Sequence, residues 1–132
     1  MEIERLDHLV LTVRDIAATC RFYQRVLGMR PVEFAPGRWA IHFGGSKLNL
    51  HAADHPVDPN VRHATPGSAD VCFITKTAIT DVIAELAAAQ VPVILGPVSR
   101  IGARGSLLSV YFYDPDENLI EVANQVDERR TP

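Results

Sequence analysis

The hydrophobic pattern of this chain changes period several times, and the same order of predicted elements occurs twice. In the first copy, an apolar run precedes a segment with apolar residues at helical spacing, and three short strand-like runs follow. Asp15 suits the N-cap of the predicted helix, and Gly28 suits its end. The predicted elements span residues 5–13, 16–27, 29–34, 39–43 and 47–52.

The second copy follows after a shift of 62 positions (70 − 8), which places Asp70 where the first copy has His8. Its predicted helix carries an apolar stripe from Ile79 to Leu86 and ends near Gln90. Its predicted strands span residues 70–75, 91–98, 106–113 and 118–123. Because a regular internal repeat reflects one structural unit used twice, the pattern predicts two βαβββ modules.

The repeat therefore predicts an α+β fold with eight mainly antiparallel strands in a single domain over residues 1–126. Module one covers 4–53 and module two covers 68–124. The linker over 54–67 contains three prolines, which favour an extended segment. We expect a frayed tail over 125–132.

Composition narrows the function classes further. A net charge of −3 and a pI near 5.9 give no electrostatic basis for binding nucleic acid or an anionic membrane. No apolar run approaches the ~20 residues that a membrane-spanning helix needs. The first residues lack the basic and apolar regions of a secretory signal, so we expect a cytoplasmic protein. Cys20 and Cys72 are expected to be buried free thiols.

Four residues whose side chains can bind metals occupy repeat-related strand positions. His8 corresponds to Asp70, and a gapless shift of 70 (121 − 51) pairs His51 with Glu121. Glu121 lies between two apolar residues, and a carboxylate buried there needs a positive partner, either Lys or Arg or a divalent cation. If the turn before the fourth strand absorbs two residues, Asn49 takes the place of His51. We favour His51, because imidazole binds transition metals better than a neutral amide.

Three stretches carry a family resemblance: residues 6–13, the segment from Phe22-Tyr23 to Leu27-Gly28, and residues 113–121 with Asp-Pro-Asp-Glu-Asn. They resemble the vicinal oxygen chelate superfamily, which includes glyoxalase I, bleomycin-resistance proteins, fosfomycin-resistance enzymes and extradiol dioxygenases. The Asn49-Leu50-His51 stretch is similar to that of small glyoxalase-domain proteins, some of them virulence-associated. The resemblance implies a partly open barrel, or cup, with metal ligands on the first and fourth strands of each module.

On this basis we predict a metal site of His8, His51 and Glu121, with Asp70 as a fourth ligand or a hydrogen-bond partner of a ligand. One divalent ion per site is expected, of Fe, Mn, Ni or Zn. Glu121 and Asp70 are the candidate catalytic bases. The predicted substrate pocket comprises Asn49, Trp39, Phe43, Tyr111 and Tyr113. Many relatives begin the second module with His where this chain has Asp70.

The predicted function is a lyase, isomerase or ring-cleaving dioxygenase whose small substrate chelates the metal through two vicinal oxygens. The alternative is a metal-free protein that sequesters a ligand, as bleomycin-resistance proteins do, and a third reading is a partner protein with a vestigial cup. We also predict a homodimer, because open strand edges invite pairing.

Overall fold

The computed structural model describes residues 1–127, and they form eight strands and two helices. The predicted order of elements is confirmed, and the fold is α+β. The first module comprises β1 (His8–Val13), α1 (Ile16–Leu27), β2 (Arg30–Ala35), β3 (Arg38–Phe43) and β4 (Ser46–Ala52). The second comprises β5 (Asp70–Ile74), α2 (Ile79–Ala88), β6 (Leu95–Gly102), β7 (Gly105–Tyr113) and β8 (Leu119–Gln125).

Each module folds its four strands into a separate sheet of the same topology. The strand order is β1-β4-β3-β2 in the first sheet and β5-β8-β7-β6 in the second. The first and fourth strands of each module pair in parallel, and the other pairs are antiparallel. By contacts, the described residues divide into one unit of residues 1–69 with 115–117 and another of residues 70–114 with 118–127.

The first helix begins and ends where the sequence indicates. The Asp15 side chain accepts a hydrogen bond from the Ala18 amide at 3.0 Å, and Gly28 adopts a left-handed conformation with φ of 65°. Tyr23 of this helix is fully buried, together with Val13 and Ile41 of the first sheet. The core of the first unit therefore lies between α1 and one face of its sheet.

The second helix has a different cap, supplied by a distant strand. Ala78 offers no side-chain acceptor at its start, and the Ile79 amide instead donates to Asn124 Oδ1 at 2.8 Å. The Asn124 amide also donates to the carbonyls of Thr75 and Thr77. One side chain on β8 thus holds the start of α2, and Leu86 packs this helix into the core of the second unit.

Two predicted boundaries and one burial expectation are corrected. Strand β6 begins at Leu95 instead of Val91, because the Val91 amide still caps α2 through the Leu86 carbonyl. The chain does not fray at 125: Gln125 belongs to β8, and Asp127 accepts a hydrogen bond from the Ser106 amide at 2.7 Å. Residues 128–132 of the predicted tail lie outside the described residues. Cys20 is buried as expected, whereas Cys72 is exposed.

The helices of the described residues are short. None of those within residues 1–127 is long and apolar enough to span a membrane.

Candidate functional site

The first sheet has one face packed on α1 and one face that carries the predicted site residues. Side chains alternate along a strand, and directly paired residues point to the same side. Strand pairing places His8 beside Lys47, Val10 beside Asn49 and Thr12 beside His51. Antiparallel pairing adds Ala40 beside Asn49 and His42 beside Lys47. We call this surface, which carries His8, Asn49 and His51, the first polar face.

The two predicted histidine ligands do not lie side by side on this face. His8 pairs with Lys47, and His51 lies four residues further along β4. At a rise of ~3.3 Å per residue, their positions are separated by roughly 13 Å along the strands. Asn49 lies only two residues from Lys47, or roughly 7 Å. Of the two β4 candidates, Asn49 is therefore the nearer to His8.

The second sheet has an equivalent face that contains Glu121. Glu121 pairs with Cys72 on β5 and with Tyr111 on β7. The hydroxyl group of Ser109, which is fully buried, donates a hydrogen bond to Glu121 Oε2, with an O–O distance of 2.6 Å. Asp70 lies two residues before Cys72 and shares this face. We call it the second polar face.

The two registers settle which residue of module one corresponds to Glu121. Residues that pair between the first and fourth strands are 39 positions apart in the sequence of module one (47 − 8) and 49 positions apart in module two (119 − 70). Glu121 pairs with the third residue of β5, and the third residue of β1, Val10, pairs with Asn49. The pairing of His51 with Glu121 is thus corrected, and Asn49 is the counterpart of Glu121.

The predicted pocket residues divide between faces. Trp39 pairs with Leu50 and Phe43 with Ser46, so both lie on the helix-packed face of the first sheet, opposite to Asn49. Their prediction as pocket residues is corrected, because the third strand presents its even-numbered residues to the polar face. Tyr111 and Tyr113 do share a face with Glu121, and the Tyr111 hydroxyl accepts a hydrogen bond from Arg100 Nε at 2.9 Å.

One hydrogen bond engages the His8 imidazole. Asp7 Oδ2 lies 2.8 Å from His8 Nδ1. The hydrogen bond to His8 holds the pKa of the Asp7 carboxyl below its usual range. With Nδ1 bound to a carboxylate, Nε2 is the nitrogen left to meet another group, which is the usual arrangement of a metal-binding histidine.

A protonated thiol lies next to Glu121. Partial desolvation of the thiol, the charge of Glu121 and a hydrogen bond to Glu121 together raise the pKa of Cys72 to about 11. The thiol therefore keeps its proton near neutral pH and donates to the carboxylate. Glu121 thus receives two hydrogen bonds from its own sheet, one from Ser109 and one from Cys72.

Donor types suited to a divalent metal occur on both polar faces, namely the His8 imidazole and the carboxylates of Asp70 and Glu121. Within residues 1–127, no three His, Cys, Asp or Glu side chains are gathered closely enough to hold a metal ion. Each face by itself thus offers only part of a coordination shell. The residue types on these faces fit a divalent metal.

Sequence reasoning missed several residues of these faces. On the first polar face, the Phe34 ring lies 4.3 Å from Lys47 Nζ and 5.3 Å from Arg38 Cζ. On the second, Ser109 and Cys72 contact Glu121. Side chains alternate between the two faces of a strand, so the sequence alone could have identified the residues of β4 that share a face with Asn49 and those of β8 that share a face with Glu121. The partners on neighbouring strands depend on register, which local pattern does not give.

The chain matches the family model of the glyoxalase/bleomycin resistance protein/dioxygenase superfamily over residues 5–122. It is 50% identical to the virulence protein STM3117 of Salmonella typhimurium over 126 residues, which cover 96% of this chain and 88% of that protein. The crystal structure of that Salmonella protein superposes with a TM-score of 0.94, covering 96% of this chain and 100% of the other.

Two further relatives extend the comparison. A glyoxalase domain-containing protein of Mycosarcoma maydis, RDO1, is 42% identical over 127 residues, 96% of this chain and 72% of that protein. The lactoylglutathione lyase of Agrobacterium tumefaciens is 24% identical with a TM-score of 0.72, covering 94% of this chain and 96% of the other, and shows the fold alone. The fold, the repeated module and the family model agree: the chain belongs to the glyoxalase/bleomycin resistance protein/dioxygenase superfamily.

Proposed function

We propose that this protein is a metal-dependent enzyme of the superfamily, a lyase, isomerase or ring-cleaving dioxygenase acting on a small substrate. The observation that carries the proposal is the Asp7–His8 hydrogen bond, which leaves one imidazole nitrogen of His8 for a ligand. Carboxylate–imidazole pairs of this kind orient histidine ligands and raise their basicity.

The residues proposed to hold the metal are His8, Asp70 and Glu121. His51 is left out of this set, because its position is roughly 13 Å from that of His8 along the sheet. A bound Fe, Mn, Ni or Zn ion would supply stabilisation of negative charge developing on substrate oxygens.

Glu121 and Asp70 are the proposed proton-transfer groups. Hydrogen bonds from Ser109 and Cys72 fix the position of the Glu121 carboxyl group, and an ionised carboxylate held there can accept a proton from the substrate. Tyr111 and Tyr113, on the same face, supply aromatic surface for the non-reacting part of the substrate.

The substrate is proposed to present two neighbouring oxygens, as in an α-hydroxycarbonyl, a hemithioacetal of an α-ketoaldehyde or a catechol. An ion held by three protein ligands would keep coordination positions open, so a bidentate substrate could bind to it. A screen of metal-loaded protein against methylglyoxal with thiols, and against catechols in air, tests this class. Turnover limited to compounds without vicinal oxygens, and unaffected by chelators, would refute it.

The alternative is a metal-free protein that sequesters a small ligand. One observation favours it: the described residues of a single chain bring no three ligand side chains together. Such a protein would use the same polar faces to bind its ligand and would need no proton-transfer group.

Metal content separates the two functions. Untagged protein, reconstituted separately with Fe(II), Mn(II), Ni(II) and Zn(II), is expected to retain about one ion per site by elemental analysis. His8→Ala and Glu121→Ala are expected to lose most of it, whereas His51→Ala serves as the matched histidine control and keeps it. Wild-type protein that retains no metal would reject the enzyme proposal. Loss of metal in His51→Ala would return His51 to the ligand set.

A further inference from the structure

The first polar face contains three buried polar atoms that the protein leaves without a partner. They are Arg38 Nε, Asn49 Oδ1 and His51 Nδ1, and within residues 1–127 no hydrogen bond reaches any of them. The side chains of Asn49 and His51 are more than nine-tenths buried. Buried polar groups are nearly always hydrogen-bonded in folded proteins, so three such atoms together indicate a ligand.

These atoms belong to neighbouring positions of the sheet. Trp39 on β3 pairs with Leu50 on the antiparallel strand β4. The adjacent residues, Arg38 and His51, therefore lie opposite each other. Asn49 lies two residues from His51 on the same strand and on the same side. The three side chains therefore form one patch, here called the Arg38–Asn49–His51 patch.

The charge of the first polar face is positive. Arg30, Arg38 and Lys47 all point to it, together with His42. Within β1 to β4, every residue of which the structure describes, no Asp or Glu lies on this side, since Glu33 pairs with Trp39 on the opposite face. A face with this balance attracts an anionic group.

The chemistry of the patch suits a planar oxyanion. Arg38 offers an N–H in a fixed plane, and the His51 ring donates from Nδ1 in one tautomer. Asn49 Oδ1 accepts no hydrogen bond from the described residues, and a turn of the amide would present its NH₂ group at this position instead. Three donors can then meet two carboxylate oxygens. The exposed Phe34 ring, beside Arg38, provides an apolar contact next to them.

We propose that Arg38, Asn49 and His51 form a subsite that binds a carboxylate of the substrate, separate from the oxygens that chelate the metal. The inference rests on the proposed function and narrows its substrate class. His51 lies roughly 13 Å along the strands from His8, and Asn49 lies between them. The carboxylate is therefore separated by several bonds from the vicinal oxygens.

The test compares benzoate with benzamide, which has nearly the same shape and no charge. Binding to the full chain is measured by calorimetry, before and after removal of metal with EDTA. We expect benzoate to bind at least roughly tenfold more tightly than benzamide in both preparations. Shifts of the Asn49 side-chain amide in ¹H–¹⁵N spectra locate the binding. Equal affinity for the two compounds, or shifts confined to other residues, would overturn the subsite.

Variants test the individual donors. Arg38→Gln and Asn49→Asp are each expected to weaken benzoate binding roughly tenfold or more. Arg62→Gln removes a charge of the same kind from the linker and is expected to change nothing. If Arg38→Gln binds benzoate as wild type does, the proposal is wrong. Because the benzoate and benzamide comparison uses wild-type protein, the test does not depend on how well the variants fold.

Two further outcomes separate the hypotheses. Phenyl phosphate binding tenfold more tightly than benzoate would overturn the carboxylate assignment in favour of phosphate. Benzoate binding by protein that retains no metal in any reconstitution would reject the metal-dependent enzyme and support the subsite. Metal retention without benzoate binding would reject the subsite alone.

Discussion

Cys72 and Glu121 lie side by side on parallel strands, and the thiol donates its hydrogen bond to the carboxylate. The repeat-equivalent pair in the first module is Val10 and Asn49, which has neither charge nor acid. The two polar faces therefore differ in chemistry although their backbones repeat. The second provides acid–base groups, and the first provides the hydrogen-bond donors and positive charge of Arg38 and its neighbours.

Cys72 is expected to react slowly with iodoacetamide although it is exposed. With a pKa of about 11, roughly one thiol in a thousand is ionised at pH 8. Replacing Glu121 with Gln removes its negative charge, so the pKa of Cys72 falls and alkylation becomes several-fold faster. The rate is measured by mass spectrometry in a Cys20→Ala background. An unchanged or slower rate in Glu121→Gln would show that the two groups do not interact.

The same thiol makes stability depend on alkaline pH. Folding raises the pKa of Cys72 from 9.0 to about 11, so the folded state holds this proton more tightly than the unfolded state. The contribution of this proton to the free energy of unfolding is complete below about pH 9 and decreases as pH rises toward 11. Other groups titrate in this range. The measurement is therefore the difference in free energy of unfolding between wild type and Cys72→Ala, obtained by urea denaturation at each pH. A difference that is constant from pH 8 to pH 11 would contradict the prediction.

Asp7→Asn is expected to reduce metal affinity roughly tenfold, because Asp7 orients His8 through Nδ1. Asp54 and His55 provide a matched control, since they form the same contact at 2.9 Å in the linker. Asp54→Asn should leave metal affinity unchanged. Competition with a chromogenic chelator measures both. Equal losses in the two variants would indicate a general charge effect instead of ligand orientation.

Gly67→Ala is expected to destabilise the protein by at least ~2 kcal/mol. Gly67 has φ of 80°, and a Cβ there would lie 2.5 Å from the Asp116 carbonyl oxygen. The left-handed conformation alone costs an L-residue ~1–2 kcal/mol. Gly45→Ala is the control, because a Cβ at Gly45 meets nothing within 4 Å, and we expect a change within ~0.5 kcal/mol. Chemical unfolding of both variants provides the comparison, and similar losses would refute the steric argument.

The predicted homodimer is open to direct measurement. The outer strands of both sheets expose apolar side chains, including Val10 on β1, Ile74 on β5 and Ile101 on β6. Exposed apolar residues on outer strands favour association. We expect sedimentation velocity to give a dimer at micromolar concentration. A single monomeric species under those conditions would contradict this prediction.

The sequence by itself determined the features that depend on neighbouring residues. The repeat of βαβββ modules, the Asp15 cap and the Gly28 end of α1 all follow from local pattern. The family followed as well, because its opening histidine and closing Asp-Pro-Asp motif are short stretches of the chain. These signals need no knowledge of which strands lie together.

Only the tertiary structure decided which residues share a face across strands. Asn49 replaced His51 as the counterpart of Glu121, Trp39 and Phe43 moved to the helix-packed side, and Asn124 became the cap of α2. The physical reason is the period of two along a strand, since a shift of one residue sends every side chain to the opposite face. Register between strands distant in sequence is set by packing and turn length, and Arg38 joined Asn49 and His51 only through that register.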